Sequence, residues 1–188
     1  MAEITLEAMP VLGGVDLDIG GNRVLERSDL ALVSVATPQG GEAELVRALD
    51  AGWSLAMPEP TLSRVAGETR AIRTAPDQMM LVFRHPTPDA ERVVQAKLDG
   101  TGYTTEQTDV WVVLEVSGPD TLAALERLCP LDLDPARFPV GASGRSVMEH
   151  MGAMIVRLEP DRFWLLSARS SAGSFLHAVE TSYRYVID

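Results

Sequence analysis

TRAIRTAPDQMMLVFR (69–84) and MGAMIVRLEPDRFWLLSAR (151–169) are the stretches on which the fold turns. Each consists of two apolar, strand-forming runs broken by a Pro-Asp dipeptide, Pro76-Asp77 in the first and Pro160-Asp161 in the second. Proline presets φ for the second position of a type I turn and aspartate suits the third, so each stretch predicts a β-hairpin. Setting Arg73, Pro76, Asp77 and Leu81 against Arg157, Pro160, Asp161 and Leu165 gives four identities at one offset of 84 residues. The chain reads as an internal repeat.

Outward from the first hairpin, LALVSVAT (30–37) predicts a buried strand. GGEAELVRALDAG (40–52) predicts a helix with Leu45, Ala48 and Leu49 on one face and Gly52 as its stop. MPEPTLSRVAGE (57–68) is a loop rich in breakers. TPDAERVVQAKLDG (87–100) predicts a helix with Thr87 as N-cap, Pro88 at the first helical position, Asp89 near the positive end and Gly100 just past the end. The second hairpin has the same neighbours: strand DVWVVLEVSG (109–118), helix PDTLAALERLC (119–129), loop PLDLDPARFPVGASG (130–144) and, after the hairpin, helix SSAGSFLHAVETSYRYV (170–186). The expected class is α+β: two pseudo-duplicated β-α-β-β-α units with antiparallel or mixed sheets and helices packed on them. GGVDLDIGGN (13–22) has no sustained periodicity, so residues 1–28 read as an irregular N-terminal arm. The division expected is that arm, a first lobe over 29–106 and a second over 107–188.

A chain of 188 residues with 46% apolar content can bury a substantial core. Its 16 basic and 27 acidic residues give −11, which disfavours nucleic acid and anionic lipid as partners. Lys97 is the only lysine; the arginine excess reads as compositional bias, with bidentate anion sites as the other reading. No apolar run approaches the ~20 residues that span a bilayer, and MAEITLEAMP lacks the basic and apolar regions of a signal peptide. One cysteine, Cys129, forms no internal disulfide and suits a reducing compartment. The expected location is the cytoplasm.

Catalysis needs a nucleophile with its base, or ligands at metal-binding spacing. His85, His150 and His177 are isolated from one another. His85, before Pro86, reads as a loop residue, and His177 lies on the last predicted helix. In MEHM, strand alternation puts Glu149 and Met151 on one side and His150 on the other. Cys129 fits a small buried residue at a helix end, and Asp132 and Asp134 fit turn and cap roles. GGVDLDIGG and GASGRS match neither phosphate-loop pattern. No catalytic, cofactor-binding or metal residue is therefore nominated. Arg145 and Arg169 are the candidate anion contacts. Phe163 and Trp164, adjacent on a strand, point to opposite faces, which leaves one of them exposed or covered by another chain as an interface anchor.

LEVSGPDTLAALERLCPLDLDPARFPVGASGRS (114–146), a strand pair and SARSSAGSFLHAVETS (167–182) together resemble the gamma subunit of heterotetrameric sarcosine oxidase. The shared features are Ser117-Gly118-Pro119, Cys129 with Leu131-Asp132-Leu133, Phe138-Pro139 with Gly141, Arg145, and Ala168-Arg169-Ser170, and the likeness extends over about residues 57–182. Ser171 stands where that family commonly has an aromatic residue, and Ser146 where it has threonine. Those departures leave room for a paralogue in a complex oxidising a related amine. The resemblance implies a fold like the folate-binding aminomethyltransferase (T-protein) of the glycine-cleavage system. It implies a non-catalytic, assembly-forming role beside alpha, beta and delta subunits in a complex that oxidatively demethylates sarcosine to glycine. FAD, FMN, NAD and tetrahydrofolate would sit on the larger subunits and zinc on the smallest, with none bound by this chain alone. The alternative is a folate-binding module or an aminomethyltransferase-like enzyme acting on tetrahydrofolate.

Overall fold

A computed structural model describes residues 9–85 and 89–187. The elements run β1 (Asp16–Ile19), β2 (Asn22–Glu26), β3 (Leu30–Ala36), α1 (Glu42–Trp53), β4 (Ser63–Ala66), β5 (Thr69–Ala75), β6 (Gln78–Arg84), α2 (Ala90–Leu98), β7 (Tyr103–Glu106), β8 (Trp111–Ser117), α3 (Thr121–Leu128), β9 (Ser143–Met148), β10 (Met151–Glu159), β11 (Arg162–Ala168) and α4 (Ala172–Ile187). The fold is α+β, with two antiparallel sheets ordered β4-β5-β6-β3-β7 and β1-β2-β8-β11-β10-β9.

Strand alternation sorts the apolar residues into three layers of core. Val33, Val35, Ala71 and Leu81 face α1 and α2 and pack with Leu45, Leu49, Val94 and Leu98. Leu114, Val116, Ile155 and Phe163 face α3 and α4 and pack with Leu125, Phe175 and Val179. The opposite faces meet: Leu32, Ile72 and Val82 of one sheet form a single cluster with Met154, Val156, Trp164 and Leu166 of the other. Both sheets are thus buried on both faces, as sheet packed on sheet with helices outside each.

The repeat holds in register as well as in sequence. Both hairpins carry a break in the ladder at equivalent places, between Arg73 and Ala75 in one and between Arg157 and Glu159 in the other. In both, the arginine turns back to donate to the carbonyl of the turn proline, Pro76 or Pro160. Extra residues of this kind re-aim a side chain, which gives the shared Arg-x-x-Pro-Asp a structural meaning.

The irregular arm expected over 1–28 is corrected by the structure over residues 9–28, the part of it that is described. Residues 16–26 form a hairpin, and β2 pairs with β8. The first sheet places β7 beside β3, and the second fills the equivalent place beside β8 with β2. Strands of four and five residues around Gly20-Gly21, both at positive φ (61° and 85°), are too short to show a period. The Glu26 carboxylate also accepts the backbone N–H groups of Leu12 and Gly14 at 3.0 and 2.8 Å.

Other boundaries differ locally. The 57–68 and 130–144 segments are not loop throughout, because β4 and β9 run along sheet edges there. Glu149 and His150 are turn residues at φ 46° and 69°, so strand alternation does not apply to them. Helix α1 runs through Gly52 and stops at Ser54 in the left-handed region. Thr87 and Pro88 lie outside the described residues; α2 is described from Ala90 and ends at Asp99-Gly100.

The outer helices lock through polar side chains. The Tyr183 hydroxyl donates to Thr121 Oγ1 at 2.8 Å, and Ser182 Oγ donates to the Ala124 carbonyl at 2.7 Å. Burial pushes the Tyr183 phenol up to about 12. The unfolded phenol ionises near 10, so stability is intact below about pH 10 and falls between about pH 10 and about pH 12, by about 3 kcal/mol in all. Urea titrations across that range are expected to show this decline in the native chain and a flatter profile in Tyr183→Phe.

Candidate functional site

The place where charged and polar side chains converge is the seam between the two lobes. Leu62 and Ala142, in the loops that enter β4 and β9, pair as an isolated antiparallel bridge. Ser63 N–H donates to Gly141 O at 2.7 Å and Ser143 N–H to Thr61 O at 2.8 Å. Leu62 O accepts from Arg73 N at 3.1 Å, and Ala142 O accepts from Arg157 N at 2.9 Å. Equivalent residues thus meet across a local two-fold axis, and whatever lies beside it is built from both lobes.

On the second-lobe side lies Arg157, 2% exposed. Its guanidinium donates to the carbonyls of Leu133 (3.0 Å), Phe138 (2.8 Å) and Pro160 (2.6 and 3.2 Å), and stacks over Phe163 with its centre 5.0 Å from the ring. These charge-assisted hydrogen bonds to carbonyl acceptors take the place of a carboxylate partner. The LDL and FP-x-G segments therefore act as architecture: Leu133 and Phe138 are buried, and their carbonyls anchor Arg157. Cys129 is buried too, its Sγ accepting the Leu131 N–H at 3.4 Å. Asp132 and Asp134 hold turns, accepting the N–H groups of Asp134 and Ala136 at 3.1 and 2.8 Å.

Between the sheets a second polar group surrounds Trp164. Its indole N–H donates to Glu115 at 2.9 Å, and the guanidinium centres of Arg27 and Arg70 lie 5.8 and 5.6 Å from its ring. Glu115 also takes a short hydrogen bond from Arg27, and Arg27 in turn donates to Asp29 at 2.8 and 2.9 Å. The Asp29 carboxyl is held below its ordinary range, chiefly by that bond. Burial, and then the neighbouring Arg162, lower the Arg70 guanidinium from its ordinary value. Cation–π contact and a desolvated ion pair make this cluster a structural clamp between lobes.

Trp164 is 8% exposed and Phe163 fully buried, so both aromatic rings are consumed inside the chain, one against the opposite sheet and one under the helices. The expectation that one of them serves as an interface anchor is corrected: the opposite sheet face of the same chain covers Trp164. Arg169 Nη2 donates to the Met9 carbonyl at 2.9 Å and lies 3.8 Å from Asp109 through Nη1, which pins the N-terminal segment. Arg145 is exposed on β9 and lines a cleft of about 370 Å³ with Arg73, Pro76 and Ser143. The structure does not gather Arg145 and Arg169 into one pocket.

Sequence reasoning missed Arg73 and Ser143 as members of this cleft. The repeat singled out Arg73, but as a mark of duplication, and nothing in a single sequence shows which loop Ser143 will face. Of the histidines, His85 Nε2 lies 2.8 Å from Asp89 Oδ1, His150 is an exposed turn residue, and His177 lines a surface groove with Arg127 and Tyr185. Among the described residues no group of three or more histidine, cysteine or acidic side chains has metal-binding geometry.

No family model matches the chain, and no curated protein sequence does. Solved structures do. A chain of the heterotetrameric sarcosine oxidase from Corynebacterium sp. U-96, solved with pyrrole 2-carboxylate, superposes with a TM-score of 0.77 over 89% of this chain and 86% of that one, at 18% identity. This chain has that fold. The aminomethyltransferase T of the glycine cleavage system from Bartonella henselae superposes with a TM-score of 0.59 over 82% of this chain but 44% of that one, at 16% identity. The duplicated α+β architecture expected from the repeat, and the T-protein-like fold that the resemblance implied, are thus the architecture found. Among the described residues no helix is long and apolar enough to cross a membrane.

Proposed function

We propose that this chain is the gamma-type, non-catalytic subunit of a heterotetrameric oxidase acting on sarcosine or a related methylated amine. Reciprocal coverage carries the reading: 89% of the chain matches 86% of a chain from such a complex, against 44% of an aminomethyltransferase. The charged groups described above support the same reading, since Arg157 is engaged in anchoring backbone carbonyls of its own lobe and the Arg27–Glu115–Trp164 cluster in bracing the sheets. In this role the partners are alpha, beta and delta chains that carry FAD, FMN, NAD, tetrahydrofolate and zinc, and the location is cytoplasmic. Scattered exposed apolar side chains such as Val65, Tyr103, Val147 and Tyr185 are available for contact with them.

Co-expression with the neighbouring genes is expected to yield a flavin-coloured complex of four polypeptides that retains this chain through gel filtration. A flavin oxidase that assembles and turns over fully without it, leaving this chain free, would overturn the proposal. The likeness to aminomethyltransferase T favours a second reading, a folate-binding module. Calorimetry with tetrahydrofolate separates the two, because saturable binding by the lone chain belongs only to the second.

A further inference from the structure

The two lobes share a serine at the seam but differ at the two residues beside it, and only one of the serine hydroxyls finds a hydrogen-bond partner among the described residues. Ser63 and Ser143 occupy matching places on β4 and β9, opposite Ile72 and Val156 in their ladders. In the first lobe Ser63 Oγ donates to Gly141 O at 2.9 Å and accepts from Arg70 Nη1 at 2.8 Å. In the second lobe the residue equivalent to Arg70 is Met154, and the arginine appears instead on the facing strand, as Arg145 where the first lobe has Val65. Ser143, 2% exposed, is left with a hydroxyl that has no hydrogen-bond partner among the described residues.

Ser143 lines the cleft of about 370 Å³ that Arg73 closes from the other lobe. Arg73 Nε is likewise buried without a partner among the described residues, although its terminal nitrogen reaches Pro76 O. Its counterpart Arg157 spends every nitrogen on backbone carbonyls. Buried polar atoms in folded proteins are normally satisfied, so two in one cleft mark a place prepared for a ligand. The charge agrees. No carboxylate is among the described residues lining this cleft, on a chain whose net charge is −11. Two guanidinium groups and a hydroxyl with no competing acid suit an oxyanion, which a planar arginine fork binds through paired N–H groups.

The cleft continues past Arg145 and Met154 into a hollow of about 320 Å³ that contains Trp111. The Trp111 indole nitrogen is also buried without a partner among the described residues. We propose that the seam binds a small molecule bearing a carboxylate or phosphate group. Arg73, Arg145 and Ser143 hold the anionic group, and the apolar floor at Met154 leads its body toward the Trp111 N–H.

This inference does not rest on the subunit reading, and its test applies to the chain as it purifies, alone or with partners. Inorganic phosphate and benzoate are the two probes. Calorimetry follows binding, and NMR follows the Arg73 Nε–H resonance. One of the probes is expected to saturate at one equivalent with a Kd below about 10 mM, to shift that resonance, and to bind at least about tenfold more weakly in Arg145→Gln. Phosphate saturation identifies a phosphate ligand, and benzoate saturation identifies a carboxylate one. Arg145 is exposed and makes no contact that its loss would unfold, while Arg73→Gln, checked for an unchanged urea midpoint, tests the other lobe. Failure of both probes to saturate below about 10 mM, or an affinity unchanged in Arg145→Gln, overturns the proposal.

Discussion

Arg157→Met is expected to lower the unfolding free energy by about 3–5 kcal/mol, because several buried acceptors lose their charged donor at once. Methionine matches the aliphatic stem but donates nothing. The carbonyls of Leu133, Phe138 and Pro160 would then lose their donor in a region that is 2% exposed at the arginine. Each buried acceptor so abandoned costs about 1–3 kcal/mol, less whatever an entering water returns. The internal duplication supplies its own control: Arg73→Met removes one hydrogen bond from a partly exposed side chain, at a cost of under about 1 kcal/mol. Urea denaturation of the two variants measures the contrast. Equal losses would mean that the carbonyls around Arg157 are rehydrated at little cost and that the loops it anchors do not depend on it.

Gly118→Ala is expected to be comparably damaging, at about 3 kcal/mol or more. The backbone at Gly118 has φ +134°, and an added Cβ would lie 2.4 Å from Asn22 Oδ1 and 2.7 Å from Asn22 Cα. Asn22 cannot retreat. It is fully buried, its amide donates to Asp120 Oδ2 at 2.9 Å, and its Oδ1 accepts the Asp120 N–H at 2.9 Å. The substitution would push β2 away from β8 and unseat the start of α3. A cycle with Asn22→Ala identifies the cause: if the clash is with Asn22, the double variant loses less than the sum of the single ones. Additive losses would place the strain elsewhere.

Both residues stood in stretches that the sequence already singled out, Ser117-Gly118-Pro119 and the Arg-x-x-Pro-Asp hairpin, yet their purposes were not legible there. The hairpins, the central strands β3 and β8 and all four helices could be read because their apolar residues recur with a clear period and their turns carry Pro-Asp. Edge strands were lost for a physical reason: β4 and β7 have four residues each, and β9 buries Ser143 while exposing Val147, so its apolar residues mark no face. Phe163 and Trp164 were correctly assigned to opposite faces, but a strand cannot reveal that its second face will meet another sheet of the same chain. Arg145 was nominated with Arg169; its neighbour Ser143 sits two residues away on β9, but Arg73 comes from the other lobe, and only the two-fold seam brings it to them.

The pairing of β2 with β8 also sets an order of events during biosynthesis. Arg23 waits for Ser117, its ladder partner, which leaves the ribosome about 90 residues and, at about 5–20 residues per second, some ~5–20 s later. In that interval β3 through β7 have every strand of their own sheet in hand and can close, whereas the nascent leading hairpin has no sheet to join. The second lobe thus depends on the earliest described strands, and the return of β2 to the edge of β8 is a long-range closure of the kind that slows folding.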